Sequence, residues 1–296
     1  MSGRVVCAGD LMVDVLAVLP GPLSPGSDTP AAVSLSGGGS AANTAAWLAA
    51  EGVPVTFVGR VGADAFGEQA ESELARAGVI SAVTVDPSAA TGVCIVLVEP
   101  GGERTMIPSA GANARLSERD VLDAVSDGDR LHLSAYPLLR PESSAGLRRA
   151  LRELSERGVP VSVDAASAAP LLATGAEEFL SWLSRDTLLI ANADEAATLT
   201  GLADPENSAG ALAERVARVV LKLGGRGAIV VDHGSVQHVE TVPVTVVDST
   251  GAGDAFAAGL LAALLHGADL TDAARTAHRL GARAVTRLGA RPELPG

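Results

Sequence analysis

The 296-residue chain has few aromatic residues, one lysine and two cysteines. Phe, Trp and Tyr together make up 2% of it, so stacking platforms for nucleic-acid or nucleoside bases are poorly supplied. The single lysine, Lys222, is followed by Leu223, which rules out a Gly-Lys-Ser/Thr phosphate loop. The His-Arg-Asp and Asp-Phe-Gly elements of protein kinases are missing too. Cys7 and Cys94 lie far apart, which argues against a disulfide framework and for a reducing cytoplasm. Five histidines without ligand spacing argue against a protein-built zinc site. Lys and Arg number 22 against 35 Asp and Glu, a net charge of −13, so no nucleic-acid surface is expected. Any anion site must therefore be local, built from backbone N–H groups or a helix N-terminus. Apolar runs are short. The first is broken by Asp10 and Asp14, unlike a signal peptide, and the longest, residues 255–265, cannot span a bilayer core of about 30 Å. The expectation is a cytoplasmic protein with neither membrane nor nucleic-acid partners.

What the chain does have is 47% apolar residues in a strand-then-helix rhythm. Strands are predicted at 4–9, 53–59, 130–134, 159–164, 187–191 and 219–223, with a hairpin at 228–232 and 236–241. Helices are predicted at 40–51, 63–77, 142–157, 171–183, 194–200, 251–266 and 271–287. This alternation implies an α/β fold, a mostly parallel sheet covered on both faces. Two stretches break it. Residues 11–36, punctuated by Pro20, Pro22, Pro25 and Pro30, and residues 91–108, turning at Pro100-Gly101-Gly102, read as four short strands without helices. They are expected to form a small antiparallel flap over the carboxyl ends of the main strands, where open α/β sheets bind ligands. The predicted division is a main domain of residues 1–10, 37–90 and 111–296 with a β lid of residues 11–36 and 91–110.

The strongest local signal is Asp248-Ser249-Thr250-Gly251-Ala252-Gly253-Asp254-Ala255-Phe256, between the extended run 242–247 and an apolar helix. Glycines at a strand-to-helix turn let the N–H groups of Gly251, Ala252 and Gly253 face outward, forming an anion cradle with the helix dipole. Asp254, one turn in, is placed to take a proton from an alcohol attacking a bound phosphate. The same residues also suit a plain glycine C-cap followed by an N-capping aspartate. A second signal is Gly37-Gly38-Gly39 before an Ala-rich helix carrying Asn43, which either bonds a polyol or faces solvent. Gly37-x-Gly39-x-x-Ala42 with Arg60 also matches a dinucleotide fingerprint loosely, but that fingerprint belongs after the first strand, where Gly9-Asp10 has no glycine array.

The two glycine motifs, in this order and separation, resemble those of the PfkB-type carbohydrate kinases, the ribokinase-like family. Val61–Gly67, Gly111-Ala112-Asn113, Asn192-Ala193-Asp194-Glu195, Leu223–Gly227, Ala277-His278 and Ala284–Ala290 add to the likeness. The resemblance implies a three-layer α/β sandwich with a β-sheet lid and an ATP-dependent sugar kinase phosphorylating a hydroxymethyl group of a small sugar or sugar acid. It assigns Asp254 as the general base and residues 251–253 as the anion hole. Asp14, Gly38, Gly39 and Asn43 would bind sugar, and Asn192, Lys222, Gly224 and His278 would line the ATP pocket. Glu195 with Asn192 would position Mg²⁺ through water, Asp248 with backbone carbonyls from residues 284–290 would face a monovalent cation such as K⁺, and the lid could join a homodimer. Typical ribokinases differ at Met12-Val13-Asp14, carry a lysine where Ser40 stands, and have an acidic sugar ligand where this chain has Ser134-Ala135-Tyr136-Pro137. Ribose is thereby put in doubt. Tyr136 and Phe66 are the aromatic candidates for stacking in the alternative reading, a nucleoside kinase of pseudouridine or adenosine type. A non-catalytic sugar-binding regulator is the other alternative.

Overall fold

Val5 and Cys7 are buried in one apolar cluster and Val6 and Ala8 in another, so the first strand has a core on each face. In the computed structural model, which describes residues 3–101 and 103–293, that strand lies inside a nine-stranded sheet. In chain order the elements are β1 (Val5–Ala8), β2 (Met12–Val18), β3 (Ala32–Gly38), α1 (Ser40–Ala50), β4 (Val55–Gly62), α2 (Ala65–Arg76) and β5 (Ile80–Asp86). There follow β6 (Gly92–Val98), β7 (Arg104–Ser109), α3 (Glu118–Ala124), β8 (Arg130–Ser134), α4 (Pro141–Glu156), β9 (Val161–Asp164), α5 (Ala168–Thr174) and α6 (Ala176–Ser181). The chain continues with β10 (Leu188–Asn192), α7 (Ala193–Thr200), α8 (Pro205–Arg215), β11 (Arg218–Lys222), β12 (Ala228–Asp232), β13 (Ser235–Val239), α9 (Ala252–Leu265) and α10 (Leu270–Val285).

The large sheet has the order β13-β12-β11-β10-β9-β8-β1-β4-β5. Seven strands from β11 to β5 run parallel, and β12 and β13 close one edge antiparallel. Alternate residues of β1, β10 and β11 point to opposite faces. One face packs on α4, α7 and α8 through Leu147, Leu199 and Leu212, the other on α1, α9 and α10 through Trp47, Leu261 and Leu280. This is the expected three-layer sandwich. Among the described residues no helix is long and apolar enough to cross a membrane.

The second sheet, ordered β3-β2-β6-β7, differs from the expected antiparallel flap. Its outer pairs are antiparallel, but β2 and β6 run parallel, because a long stretch containing α1, β4, α2 and β5 separates them. β3 also runs past residue 36, carrying Gly37 and Gly38 into the ladder. The helix expected over 171–183 is split into α5 and α6 by Gly175, whose φ is 95°. β5, α3 and α8 are additional to the predicted elements, although Asp204 before Pro205 is a recognisable helix start and caps Asn207 N–H. Residues 242–247, predicted to be an extended run, join no ladder, and a bend falls at Val247.

The chain is closed by Trp47 of α1. The ring is fully buried, lies under the Arg283 guanidinium, and donates its Nε1–H to the Ala290 carbonyl at 2.9 Å. Trp47→Phe leaves that carbonyl without its donor and should cost about 1–3 kcal/mol. The expected result is a lower urea midpoint at unchanged m. An unshifted midpoint would show that the loop at Ala290 does not need the indole.

Candidate active site

Parallel strands deliver their last residues to one edge of the sheet, and the chemistry of this chain collects there. Asp10 follows β1, Asp164 ends β9, Asn192 ends β10 and Lys222 ends β11. Onto this edge point the N-termini of α1 and α9. Both helices begin at a glycine with positive φ, Gly39 at 97° and Gly251 at 73°. A Cβ at Gly39 would collide with the Asp10 carbonyl, and one at Gly251 with the Ala290 backbone. These glycines are required by close backbone approach as well as by conformation.

Asp254 sits in the first turn of α9, between the two N-termini. Ser40 Oγ donates to its Oδ1 at 2.7 Å and Asn43 Nδ2 to its Oδ2 at 2.9 Å. Asn43 is itself held, since Arg291 Nε donates to its Oδ1 at 2.9 Å while Arg291 Nη2 donates to the Gly38 carbonyl at 2.9 Å. Burial pushes the Asp254 carboxyl above its ordinary value, and the donors Asn43 and Ser40 pull it down. Thus Ser40, where typical ribokinases have a lysine, holds the carboxylate.

The anion cradle differs in one amide from expectation. Ala252 N–H donates to the Ser249 carbonyl at 3.2 Å, closing the turn, and is not free. Among the described residues the N–H groups of Gly251, Gly253 and Asp254 have no backbone acceptor. They are the ones available to an anion. A Cβ at Gly253 would approach Lys222 Nζ at 3.3 Å, so the ammonium stands beside this turn.

On one side of Gly253 opens a cleft of about 870 Å³. Its lining includes Asn192, Lys222, Gly224, Gly225, Ala252, Phe256 and His278, together with the extended segment around Val244. The four residues expected at a nucleotide therefore share one cavity. His278 stacks edge-to-face on Phe256 at 5.0 Å, and its Nε2 is buried without a hydrogen-bond partner among the described residues. Burial lowers its pKa and keeps the ring neutral at pH 7.

Lys222 Nζ pairs with Asp164 at 2.7 Å, a carboxylate the sequence reading did not single out. Burial opposes the ammonium, but Asp164 and Glu195 hold its pKa above the ordinary lysine value. Glu195 and Asn192 form a reciprocal capping box at the start of α7. Glu195 accepts from Asn192 N–H at 2.8 Å and from Asn192 Nδ2 at 2.6 Å, and burial and Asp164 raise its pKa. Among the described residues no cluster of three or more His, Cys, Asp or Glu side chains is gathered for a metal. A hydrated divalent ion that also holds phosphates needs only one or two carboxylates. The oxygens of Asp164 and Glu195 already accept from Lys222, Ala166 N–H and Asn192, so they would hold such an ion only through water.

On the other side of Asp254 lies Asp14 of β2, packed against Gly38, whose missing side chain makes room for the carboxylate. Burial raises its pKa to about 6, Arg291 lowers it and Asp254 raises it. Asp10, to which the sequence assigned no role in the site, is held by Nη1 and Nη2 of Arg140 at 2.7 and 2.5 Å. Arg60, the candidate for a dinucleotide phosphate, pairs with Asp120 at 2.8 Å and Asp86 at 3.8 Å and is structural. Asn113 is structural too, exchanging two 3.0 Å bonds with the backbone of Leu11.

Asp248 does not present the arrangement expected of a monovalent-cation ligand. Its Oδ1 accepts from Thr250 N–H at 2.7 Å, its Oδ2 from Gly289 N–H at 3.0 Å, and Arg104 Nη2 lies 2.7 Å from Oδ1. Both oxygens face donors and a guanidinium, which does not fit a second cation.

A family model described as pfkB family carbohydrate kinase matches residues 2–295. The ATP-dependent ribose-1-phosphate kinase of Halopiger xanaduensis is 34% identical over 97% of this chain and 94% of its own length. The Escherichia coli fructokinase is 32% identical over 100% of this chain and 97% of its own. Among solved structures, Vibrio cholerae O395 fructokinase with fructose, ADP and calcium has a TM-score of 0.83 and 28% identity, covering 99% of this chain and 96% of that one. A double mutant of the same fructokinase is known with fructose, ADP and potassium.

Asp14 generates a stability prediction. Its folded pKa, about 6, lies above the ordinary carboxyl value of 3.8. The folded state therefore binds the proton more tightly than the unfolded one, and ionised Asp14 destabilises the fold above that range. Asp14→Asn should raise the melting temperature near neutral pH, by up to about 2 kcal/mol in stability. The gain should shrink as pH falls through about 6 and vanish near 4. A variant less stable than wild type at neutral pH would show that the ionised carboxylate is instead stabilised by its surroundings.

Proposed function

Because the chain belongs to the pfkB family of carbohydrate kinases, we propose that it transfers the γ-phosphate of ATP to a hydroxymethyl group of a small sugar or sugar acid. The observation that carries this reading is Asp254 clamped by Ser40 and Asn43 beside the free N–H groups of Gly251 and Gly253. Asp254 takes the proton of the acceptor hydroxyl as its oxygen bonds to the γ-phosphorus, the bond to the bridging oxygen breaks and ADP leaves. The free amides and Lys222 stabilise the charge on the transferring group. ATP occupies the cleft lined by Asn192, Lys222, Gly224 and His278. Mg²⁺, held through water by Asp164 and Glu195 with Asn192, supplies charge neutralisation on the phosphates when bound.

Asp14, Gly38, Gly39 and Asn43 surround the acceptor. Arg291 borders the acceptor site through Asn43 and the Gly38 carbonyl, and its Nη1 is paired with Glu73 at 3.6 Å. A sugar suits the site better than a nucleoside, since Phe66 packs against the core and leaves Tyr136 the only aromatic of the pair near the carboxylates. The second sheet is the lid, excluding water from the reaction. Its outer face exposes Val33, Leu35, Ile95 and Ile107, which supports a homodimer through this sheet.

The test is coupled ADP release over pentoses, hexoses, ketodeoxy acids, sugar phosphates and nucleosides. Turnover of a sugar or sugar acid is expected. Binding without phosphorylation of any compound would make the chain a regulator. Asp254→Asn should lower kcat by about 10²-fold or more with both KM values little changed. Near-normal turnover in that variant removes Asp254 from the chemistry.

A further inference from the structure

Asp248 joins three parts of the chain that are distant in sequence. Through Thr250 N–H it holds the turn that starts α9, through Gly289 N–H the loop after α10, and through Arg104 the first residue of β7. The backbone adds to this junction, since the Val247 and Asp248 N–H groups both donate to the Val285 carbonyl, at 2.7 and 3.2 Å. That carbonyl therefore faces donors as well. The Asp248 side chain is 5% exposed and the Arg104 side chain 24%. Burial alone would raise the Asp248 carboxyl, but the N–H groups of Gly289 and Thr250 and the Arg104 charge hold it below its ordinary value. The negative charge at this junction is thus permanent, and its cationic partner is a side chain.

That side chain belongs to the second sheet. In the register of β6 and β7, Arg104 lies opposite Val98, and Asp14 lies opposite Cys94. Successive residues of a strand alternate faces, and Val98 and Cys94 are an even number of residues apart. Arg104 and Asp14 therefore share one face, the one on which Met12, Cys94 and Val96 are buried. A single rigid sheet thus carries the carboxylate at the acceptor and the guanidinium at the anion turn.

We propose that Arg104 is a positioning residue that serves as a built-in cation beneath the anion cradle, so that phosphoryl transfer in this chain needs no monovalent ion. The guanidinium fixes Asp248, Asp248 fixes Thr250 and Gly289, and the free Gly251 and Gly253 amides are thereby aimed. Seating the second sheet over the acceptor and completing the cradle become one event. An enzyme of this kind would not assemble its anion site until the sheet had come down. The inference rests on the kinase reading, and it concerns an ion that one solved relative is known to bind, potassium.

The experiment compares KCl with tetramethylammonium chloride at equal ionic strength, on wild type, Arg104→Gln and Arg104→Lys. Without substrates, wild type should melt at the same temperature in both salts, whereas Arg104→Gln should melt lower in tetramethylammonium and recover at least part of the loss in K⁺. With ATP, Mg²⁺ and an acceptor turned over in the panel assay, wild-type kcat should agree within about twofold between the salts. Arg104→Gln should lose about tenfold or more in kcat in tetramethylammonium, less than removal of a direct oxyanion donor. Its acceptor KM should stay within about threefold, and Arg104→Lys should restore part of the rate. A tenfold or greater dependence of wild type on K⁺ overturns the proposal. So does an Arg104→Gln enzyme that matches wild type in both salts, which would make the contact an ordinary surface ion pair. If no acceptor is phosphorylated the kinase reading fails, while the melting comparison still decides the cation. If Arg104→Gln does not fold, the wild-type and Arg104→Lys arms decide it.

Discussion

The site depends on two helix N-termini being brought close enough to share one carboxylate. α1 and α9 achieve this with small side chains, Ala41, Ala42 and Ala45 on one and Ala255, Ala258 and Ala262 on the other, all in one apolar cluster. Side chains of this size let backbones approach closely, and the same economy recurs at Gly259, where a Cβ would press on the backbone of Ala277 in α10. The reward is positional. Asp254 lies within reach of Ser40 and Asn43 across 214 and 211 residues of chain. Its two oxygens are held by separate donors, so the carboxylate has little freedom to turn away. Such fixed geometry is what general-base chemistry requires.

The chain's charge economy follows from the same crowding. An acidic protein with one lysine has placed that lysine beside Gly253, paired with Asp164 and within the field of Glu195. Most other buried acids are matched by arginines, Asp10 by Arg140, Asp248 by Arg104 and Asp120 by Arg60. A planar guanidinium offers several donors in a fixed fork, which suits it to hold a carboxylate in a set orientation. Asp14 is the partial exception, left under-compensated with a pKa near 6, and it is the acid expected to face a hydroxylated ligand.

The layered fold was legible because burial on both faces forces continuous apolar strands, and because helix starts are marked by glycine, proline and capping residues. Both glycine turns and Asp254 were legible for a related reason: close backbone approach tolerates few residue types, so the chemistry is written in local sequence. Asp164, Arg140, Arg104 and Arg291 were not legible. Each is an ordinary charged residue whose role arises from a partner 58 to 248 residues away. The parallel β2–β6 pairing was hidden for the same reason, since no local pattern tells an outer strand which neighbour it will meet. Ser40 looked like a loss because a long cation was expected there. Its hydroxyl is of use only because α9 arrives opposite, which nothing near residue 40 announces.

Arg291 reaches back to Asn43 and Gly38, and Trp47 reaches forward to Ala290. The candidate site is thus stitched from segments 243 to 253 residues apart. During synthesis the opening strands and the first helix leave the ribosome long before their partners exist, and loops of that length close late. A nascent polypeptide can collapse around its sheet while Asn43 still lacks the carboxylate it will orient. The groups proposed to act on the phosphate meet only once residues 38–47 and 290–291 have both been made, so a shorter nascent chain lacks the assembled site.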